Sequence, residues 1–189
     1  MNNPTLYIIS GPNGAGKTTA SMNILPEILD CKIFVNADEI AKGLNPLNPD
    51  SMAIEAGRIM LERIYFLLEK KETFALETTL ASRTYRKFIE KAKELGYRIV
   101  LLFFWIESPA FAKERVANRV KEGGHNIPED IIERRYWLGL KNLFELFMPM
   151  VDSWSIYDNN TKTELIATNL RVAEEKKYNK IKEVCQNRK

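Results

Sequence analysis

Ten residues near the N-terminus, Ser10-Gly-Pro-Asn-Gly-Ala-Gly-Lys-Thr-Thr19, constrain the fold of this chain more than any other stretch. Gly11, Gly16, Lys17 and Thr18 fall at the G-x-x-x-x-G-K-[ST] spacing of a phosphate-binding loop. Gly11, Gly14 and Gly16 can take the positive φ that turns successive N–H groups toward one anion. Lys17 is placed to reach the β- and γ-phosphates, and the Thr18 hydroxyl to ligate Mg²⁺. Pro12, Asn13, Ala15 and Thr19 complete the loop, and a helix opening near Gly16 would direct its positive end at the same charge.

Such a loop works only between a strand and a helix, and the flanks supply both. Leu6-Tyr7-Ile8-Ile9 reads as a short buried strand. Thr18–Leu29 reads as a helix, with Met22, Leu25, Ile28 and Leu29 as its apolar stripe. The expectation is a bound nucleoside triphosphate.

Farther along, short apolar runs alternate with helical periodicity, the pattern of an α/β fold around a parallel sheet. Strands are expected at 5–10, 32–36, 73–77, 98–106 and 154–158, with a weaker edge strand at 164–167. Helices are expected at 18–29, 51–70, 84–95, 109–121, 129–148 and 172–186. Asp50 or Ser51 would cap the second helix, and Gly96 would stop the third. At 189 residues, without linker or repeat, the chain reads as one domain over 1–189.

In open parallel sheets, ligands lie beyond the carboxyl ends of the strands, so the polar residues there carry the chemistry. Asp38, just past the second strand, is the candidate general base for an acceptor hydroxyl. It can equally cap the short Glu39-Ile40-Ala41 segment, and one residue can do both. Glu77 ends the third strand before Thr78 and Thr79, a group suited to substrate hydroxyls or a metal-bound water. Arg83 is positioned either for an anionic part of the substrate or for solvent. Glu107 and Asp158 also end strands, without an assignable duty.

Residues 111–136 describe a lid: Arg115 and Arg119, a Gly123-Gly124-His125 turn, then Arg134 and Arg135. Closure would exclude water and bring guanidinium groups onto a transferring phosphoryl. Arg119 and one of the later pair, Arg135 in preference to Arg134, are the candidates. The alternative is that these arginines pair with Glu114, Glu122, Glu129 and Glu133. His125, the single histidine, reads as a contact of the turn rather than a base.

Charge and cysteine content exclude other classes. The net charge of +3 resides in residues 171–189, where seven Lys/Arg face three Asp/Glu; the rest carries 21 basic and 22 acidic residues. A docking helix over about 171–187, with a stripe of Tyr178, Ile181, Val184 and Cys185, accounts for it better than a nucleic-acid surface. The longest apolar run, Ile99–Ile106, is too short to span a membrane. With no signal-peptide character at Met1–Pro4 and only Cys31 and Cys185, a cytoplasmic protein with reduced thiols is expected.

Together these segments resemble the zeta-toxin family of P-loop kinases. The resemblance rests on the phosphate loop, Val35-Asn-Ala-Asp-Glu-Ile40, Ala75-Leu-Glu-Thr-Thr-Leu80 and the arginine-rich lid. It implies a P-loop NTPase/kinase-type three-layer α/β/α sandwich, with a mainly parallel five- to six-stranded sheet and a helical lid. It further implies ATP- and Mg²⁺-dependent phosphorylation of a small-molecule hydroxyl. By matching motif, Lys17 and Thr18 would bind phosphate and metal, Asp38 would be the base, and Glu77 would contact substrate. Arg119 with Arg134 or Arg135 would stabilise the γ-phosphate. Characterised toxins phosphorylate a UDP-N-acetylated amino sugar and commonly carry an arginine three residues after the catalytic Asp; here that position is Ala41, beside Lys42. The kinase chemistry therefore transfers more firmly than the acceptor, and one chain gives no sign of an antitoxin partner. A metabolic kinase of the nucleotide, shikimate or gluconate kind, and a nucleotide-dependent binding module without transfer, remain as alternatives.

Overall fold

The computed structural model describes residues 3–124 and 126–186, without the side chains of Asn23, Val184 and Gln186. His125, the first two residues, the Val184 side chain of the expected apolar stripe and the end of the expected C-terminal helix lie outside that description.

Six strands form one sheet in the order β2-β3-β1-β4-β5-β6. They are β1 (Thr5–Ser10), β2 (Phe34–Val35), β3 (Phe74–Thr78), β4 (Arg98–Trp105), β5 (Ser153–Asp158) and β6 (Glu164–Thr168). The first five are parallel, and β6 returns antiparallel along β5. In β4, Leu101 through Trp105 are all buried, so helices cover both faces of the sheet, as parallel strands require. The helices are α1 (Lys17–Glu27), α2 (Ala37–Leu44), α3 (Ala53–Glu69), α4 (Tyr85–Glu94), α5 (Pro109–Lys121), α6 (Glu129–Asn142) and α7 (Glu175–Gln186). Among the described residues, no helix is long and apolar enough to cross a membrane.

The sheet expected from the sequence is present, and four local expectations are corrected. Helix α1 ends at Glu27 with Pro26 in its last turn, and Met22 and Ile28 of the proposed stripe are exposed; Leu25 alone of its four residues is fully buried. Asp50 and Ser51 lie in a 3₁₀ turn, Pro49–Met52, that leads into α3 rather than capping it. The segment expected as one helix over 129–148 changes winding at Leu143, passing through a π turn and a 3₁₀ turn. Helix α2, of which only a short capped segment at Glu39-Ile40-Ala41 was expected, runs eight residues, little more than two turns.

Gly96 ends the turn after α4 with φ 84°, and Tyr97 N–H reaches back to the Ala92 carbonyl at 3.0 Å. The Tyr97 ring packs edge-on to the fully buried Phe74 of β3. Its hydroxyl lies 3.0 Å from the Leu67 carbonyl, in the last turn of α3, and 2.9 Å from that of Glu72 beyond it, so one proton is shared between two acceptors. Burial, with the nearby Glu72 carboxylate, pushes the phenol up to about 12. Tyr97→Phe should cost about 1 kcal/mol and lower Tm by roughly 2–4 °C in calorimetry.

Candidate active site

The phosphate loop leaves β1 between β3 and β4, at the carboxyl end of the sheet. Gly11 has φ 145°, and a Cβ there would run into the Phe104 carbonyl of β4. Gly16 (φ 72°) opens α1 without any side-chain cap, leaving first-turn N–H groups for a ligand. Asn13 is only 8% exposed, yet its amide oxygen has no hydrogen-bond partner among the described residues. A cradle that a Cβ would fill, an uncapped helix end and an unsatisfied buried amide fit a polyphosphate.

Lys17 is buried, and its ammonium donates to the Pro12 carbonyl at 2.9 Å and lies 3.6 Å from Glu77 Oε1. Burial pushes its pKa down; the Glu77 and Asp38 charges pull it back, and Arg119 adds to the depression. Glu77 Oε2 accepts from the Thr18 hydroxyl at 2.8 Å and from the Asn36 amide at 2.9 Å. One carboxylate at the end of β3 thus gathers groups from the start of α1 and the end of β2.

Asn36 also caps α2, its Oδ1 accepting from Asp38 N at 2.8 Å and Glu39 N at 3.4 Å. The capping role open to Asp38 in the sequence therefore belongs to Asn36. The Asp38 carboxylate accepts no hydrogen bond among the described residues and lines a cleft of about 600 Å³ that also holds Lys17, Thr18, Thr19 and Glu77.

The far wall is built by α6. Thr78 Oγ1 accepts from Leu80 N at 3.1 Å, and Leu80, fully buried, takes φ 57°. That conformation costs about 1–3 kcal/mol in a residue with a Cβ. It is held in place by Asn142 Nδ2, which donates to the Leu80 carbonyl at 2.7 Å. One turn before Asn142, Gly139 packs so close to the Thr79 carbonyl that a Cβ would overlap it. A turn earlier again, Arg135 lines the cleft, as do Thr78, Thr79 and Arg119. Arg134 is exposed and does not line it, because neighbours on a helix point about 100° apart. Arg83 is likewise exposed and outside the lining.

Helices α5 and α6, expected as a lid, are tied to the body and to each other. Tyr136 of α6 donates to the Ile106 carbonyl at 2.7 Å, and Lys113 of α5 meets Glu133 at 3.0 Å and Glu129 at 3.6 Å. A lysine thus takes two of the carboxylates considered as arginine partners. Arg115 stacks on Phe111 and donates to the carbonyls of Gly14 (3.3 Å), Asn159 (2.9 Å) and Asn160 (2.7 Å). It braces the phosphate loop against the loop after β5, a role its place in the lid did not suggest. Asn159 adds a second tie, its Nδ2 donating to the Ala15 carbonyl at 2.6 Å. Asn36, Asn159 and Asn160 stood among the polar residues that end strands but had no assigned role; Asn36 also carried a capping signal, directly before a short helix.

The family model described as Zeta toxin matches residues 1–171. An uncharacterized protein of Haemophilus influenzae is 32% identical over 136 residues, 72% of this chain and 94% of its own length. A structure from the PezAT chromosomal toxin-antitoxin system of Streptococcus pneumoniae superposes with a TM-score of 0.70 at 16% identity, covering 100% of this chain and 86% of that one. The AvrRxo1-ORF1:-ORF2 complex with ATP gives a TM-score of 0.73 at 16% identity, covering 95% of this chain and 63% of that one. At such identities the two structures establish the shared fold.

Asn36→Ala removes both a helix cap and a donor to Glu77, and should cost about 1–3 kcal/mol in denaturant unfolding. Asn36→Ser, which restores the cap but not the reach to Glu77, should recover part of that loss.

Proposed function

This chain belongs to the zeta toxin family and is a phosphotransferase; we propose that it transfers the γ-phosphoryl group of ATP to a hydroxyl of a small molecule. The observation that carries this reading is the convergence of Lys17, Thr18 and Asn36 on Glu77, with the Asp38 carboxylate in the same cleft. Lys17 would leave the Pro12 carbonyl for the β- and γ-phosphate oxygens, and the uncapped N–H groups of α1 would hold the remaining phosphate charge.

The Thr18 hydroxyl and Glu77 would hold Mg²⁺, which takes few protein ligands and keeps substrate phosphates and waters for the rest. Among the described residues no cluster of three carboxylate, histidine or cysteine ligands exists, as such an ion requires none. When bound, the ion neutralises charge on the β- and γ-oxygens. Asp38 would orient the acceptor and take its proton as the new oxygen–phosphorus bond forms and the bond from the γ-phosphorus to the β–γ bridging oxygen breaks. Arg119 and Arg135 would meet the charge spread over the equatorial oxygens. Water exclusion would come from the turn between α5 and α6, since both helices are anchored. The reaction belongs in the cytoplasm, where ATP is plentiful.

Family membership makes a UDP-N-acetyl amino sugar the first acceptor to test. The exposed position of Arg83 and the Ala41 substitution favour a second reading, a smaller metabolite acceptor with less anionic charge.

ATP turnover should be measured against a panel of hydroxyl compounds that includes UDP-N-acetylglucosamine. Asp38→Asn should lower kcat about 10²–10⁴-fold while nucleotide affinity stays within about twofold. Full transfer by this variant on a proven acceptor would remove Asp38 as base. Arg135→Ala should lower kcat by about 10³-fold, the low end for such arginines, whereas Arg134→Ala should change it little.

A further inference from the structure

Helix α7 lies beyond the stretch that the family model matches, yet it is wired to the phosphate loop. Lys177 Nζ sits 2.7 Å from Asp158 Oδ2, at the end of β5, and 3.7 Å from Glu164. Asp158 Oδ1 accepts from the backbone N–H and the amide of Asn160, at 2.9 and 2.6 Å. The Asn160 carbonyl accepts from Arg115, and the same guanidinium reaches the Asn159 and Gly14 carbonyls. From α7 to Gly14 the links are unbroken.

We infer that Lys177 is a positioning residue for the nucleotide donor, acting through Asp158, Asn160 and Arg115 on the backbone of the phosphate loop. The inference rests on the reading of that loop as the donor site. Three features separate this role from simple docking of the helix. First, α7 docks by apolar contact: Ile181 is fully buried, and Tyr178 stacks on Trp154 and meets Phe144 edge-on. Second, Lys177 meets Asp158 at the side chain that folds the 158–160 turn, rather than at an idle surface carboxylate. Burial alone would raise the Asp158 carboxyl, but the Lys177 ammonium and the Asn160 donors hold it below its ordinary range. Third, the turn carries a parallel tie, Asn159 to the Ala15 carbonyl, so its displacement moves two residues of the phosphate loop.

Removing the ammonium leaves Asp158 with its internal Asn160 donors only, and the turn, still held by the Glu107 N–H on Asn160 Oδ1 and by Asn159 N–H on the Trp105 carbonyl, loses its tie to α7. The carbonyls that orient Arg115 then shift, and with them the Gly14 peptide that the cradle needs in place. The groups act in series, so damage at either end of the chain should be felt once.

Titration of a non-hydrolysable ATP analogue with Mg²⁺, read by calorimetry on the full chain, tests this. Lys177→Met, which keeps the apolar stem, should weaken binding about five- to tenfold, within the range of site-to-site coupling, with Tm unchanged within about 2 °C. Asp158→Asn should give a similar loss, and the double variant should lose no more than either single. Lys177→Arg should recover most of the affinity, and Lys180→Met, on the exposed face, should bind as the unaltered protein does. Unchanged affinity in Lys177→Met would overturn the inference, as would losses that add fully in the double variant. If the unaltered protein binds no analogue, the donor reading falls and the relay with it.

Discussion

The site depends on a carboxylate that would be costly to bury alone. Glu77 stands at the end of β3 with a side chain only 12% exposed, where an ionised group needs partners. The parallel register of β1 and β3 sets Ile9 opposite Glu77 and Ser10 opposite Thr78, so the phosphate loop must start beside it. Lys17 supplies the opposite charge, while Thr18 and Asn36 fill the acceptor sites of its second oxygen. The lysine and the hydroxyl proposed for phosphate and metal are held in place by the protein's own groups. On the proposed reading, nucleotide binding would be an exchange of partners, with less ordering required at the moment of binding.

Around that centre, the structure relies on backbone carbonyls as fixed points. The Phe104 carbonyl excludes any side chain at Gly11, and the Thr79 carbonyl excludes one at Gly139. Arg115 and Asn159 bind four more carbonyls between them. Carbonyls in a sheet or a pinned turn move little, so groups referred to them inherit that rigidity. Arg135 gains its place over the cleft in this indirect way, through a helix whose approach is set by a glycine and an asparagine.

The lid illustrates where sequence reasoning reached and where it stopped. Its two arginine pairs were visible, and helical geometry already implied that Arg134 and Arg135 could not both face one ligand. Which faced inward depended on Gly139 and Tyr136 meeting the end of the sheet, contacts between residues about 60 and 30 positions apart. Arg115 looked like a member of the same set. Its guanidinium instead meets carbonyls 44, 45 and 101 positions away, and no local pattern encodes such partners. Asp38 and Asn36 divide differently: the capping preference is local, but it is met by the asparagine two positions earlier rather than by Asp38.

The sequence by itself determined the loop at Gly11–Thr19. Glycines that tolerate left-handed geometry, a lysine and a hydroxyl at fixed spacing act through one continuous stretch of backbone, so their order is their geometry. Apolar runs alternating with helical periodicity likewise settled the sheet, because strand burial on both faces is a local property. Tertiary structure alone decided how the rest of the cleft is assembled. Glu77, Asp38 and Arg135 come from separate elements whose relative placement depends on register and helix packing, and the anchoring of the loop after β5 to the phosphate loop depends on backbone groups that carry no residue identity.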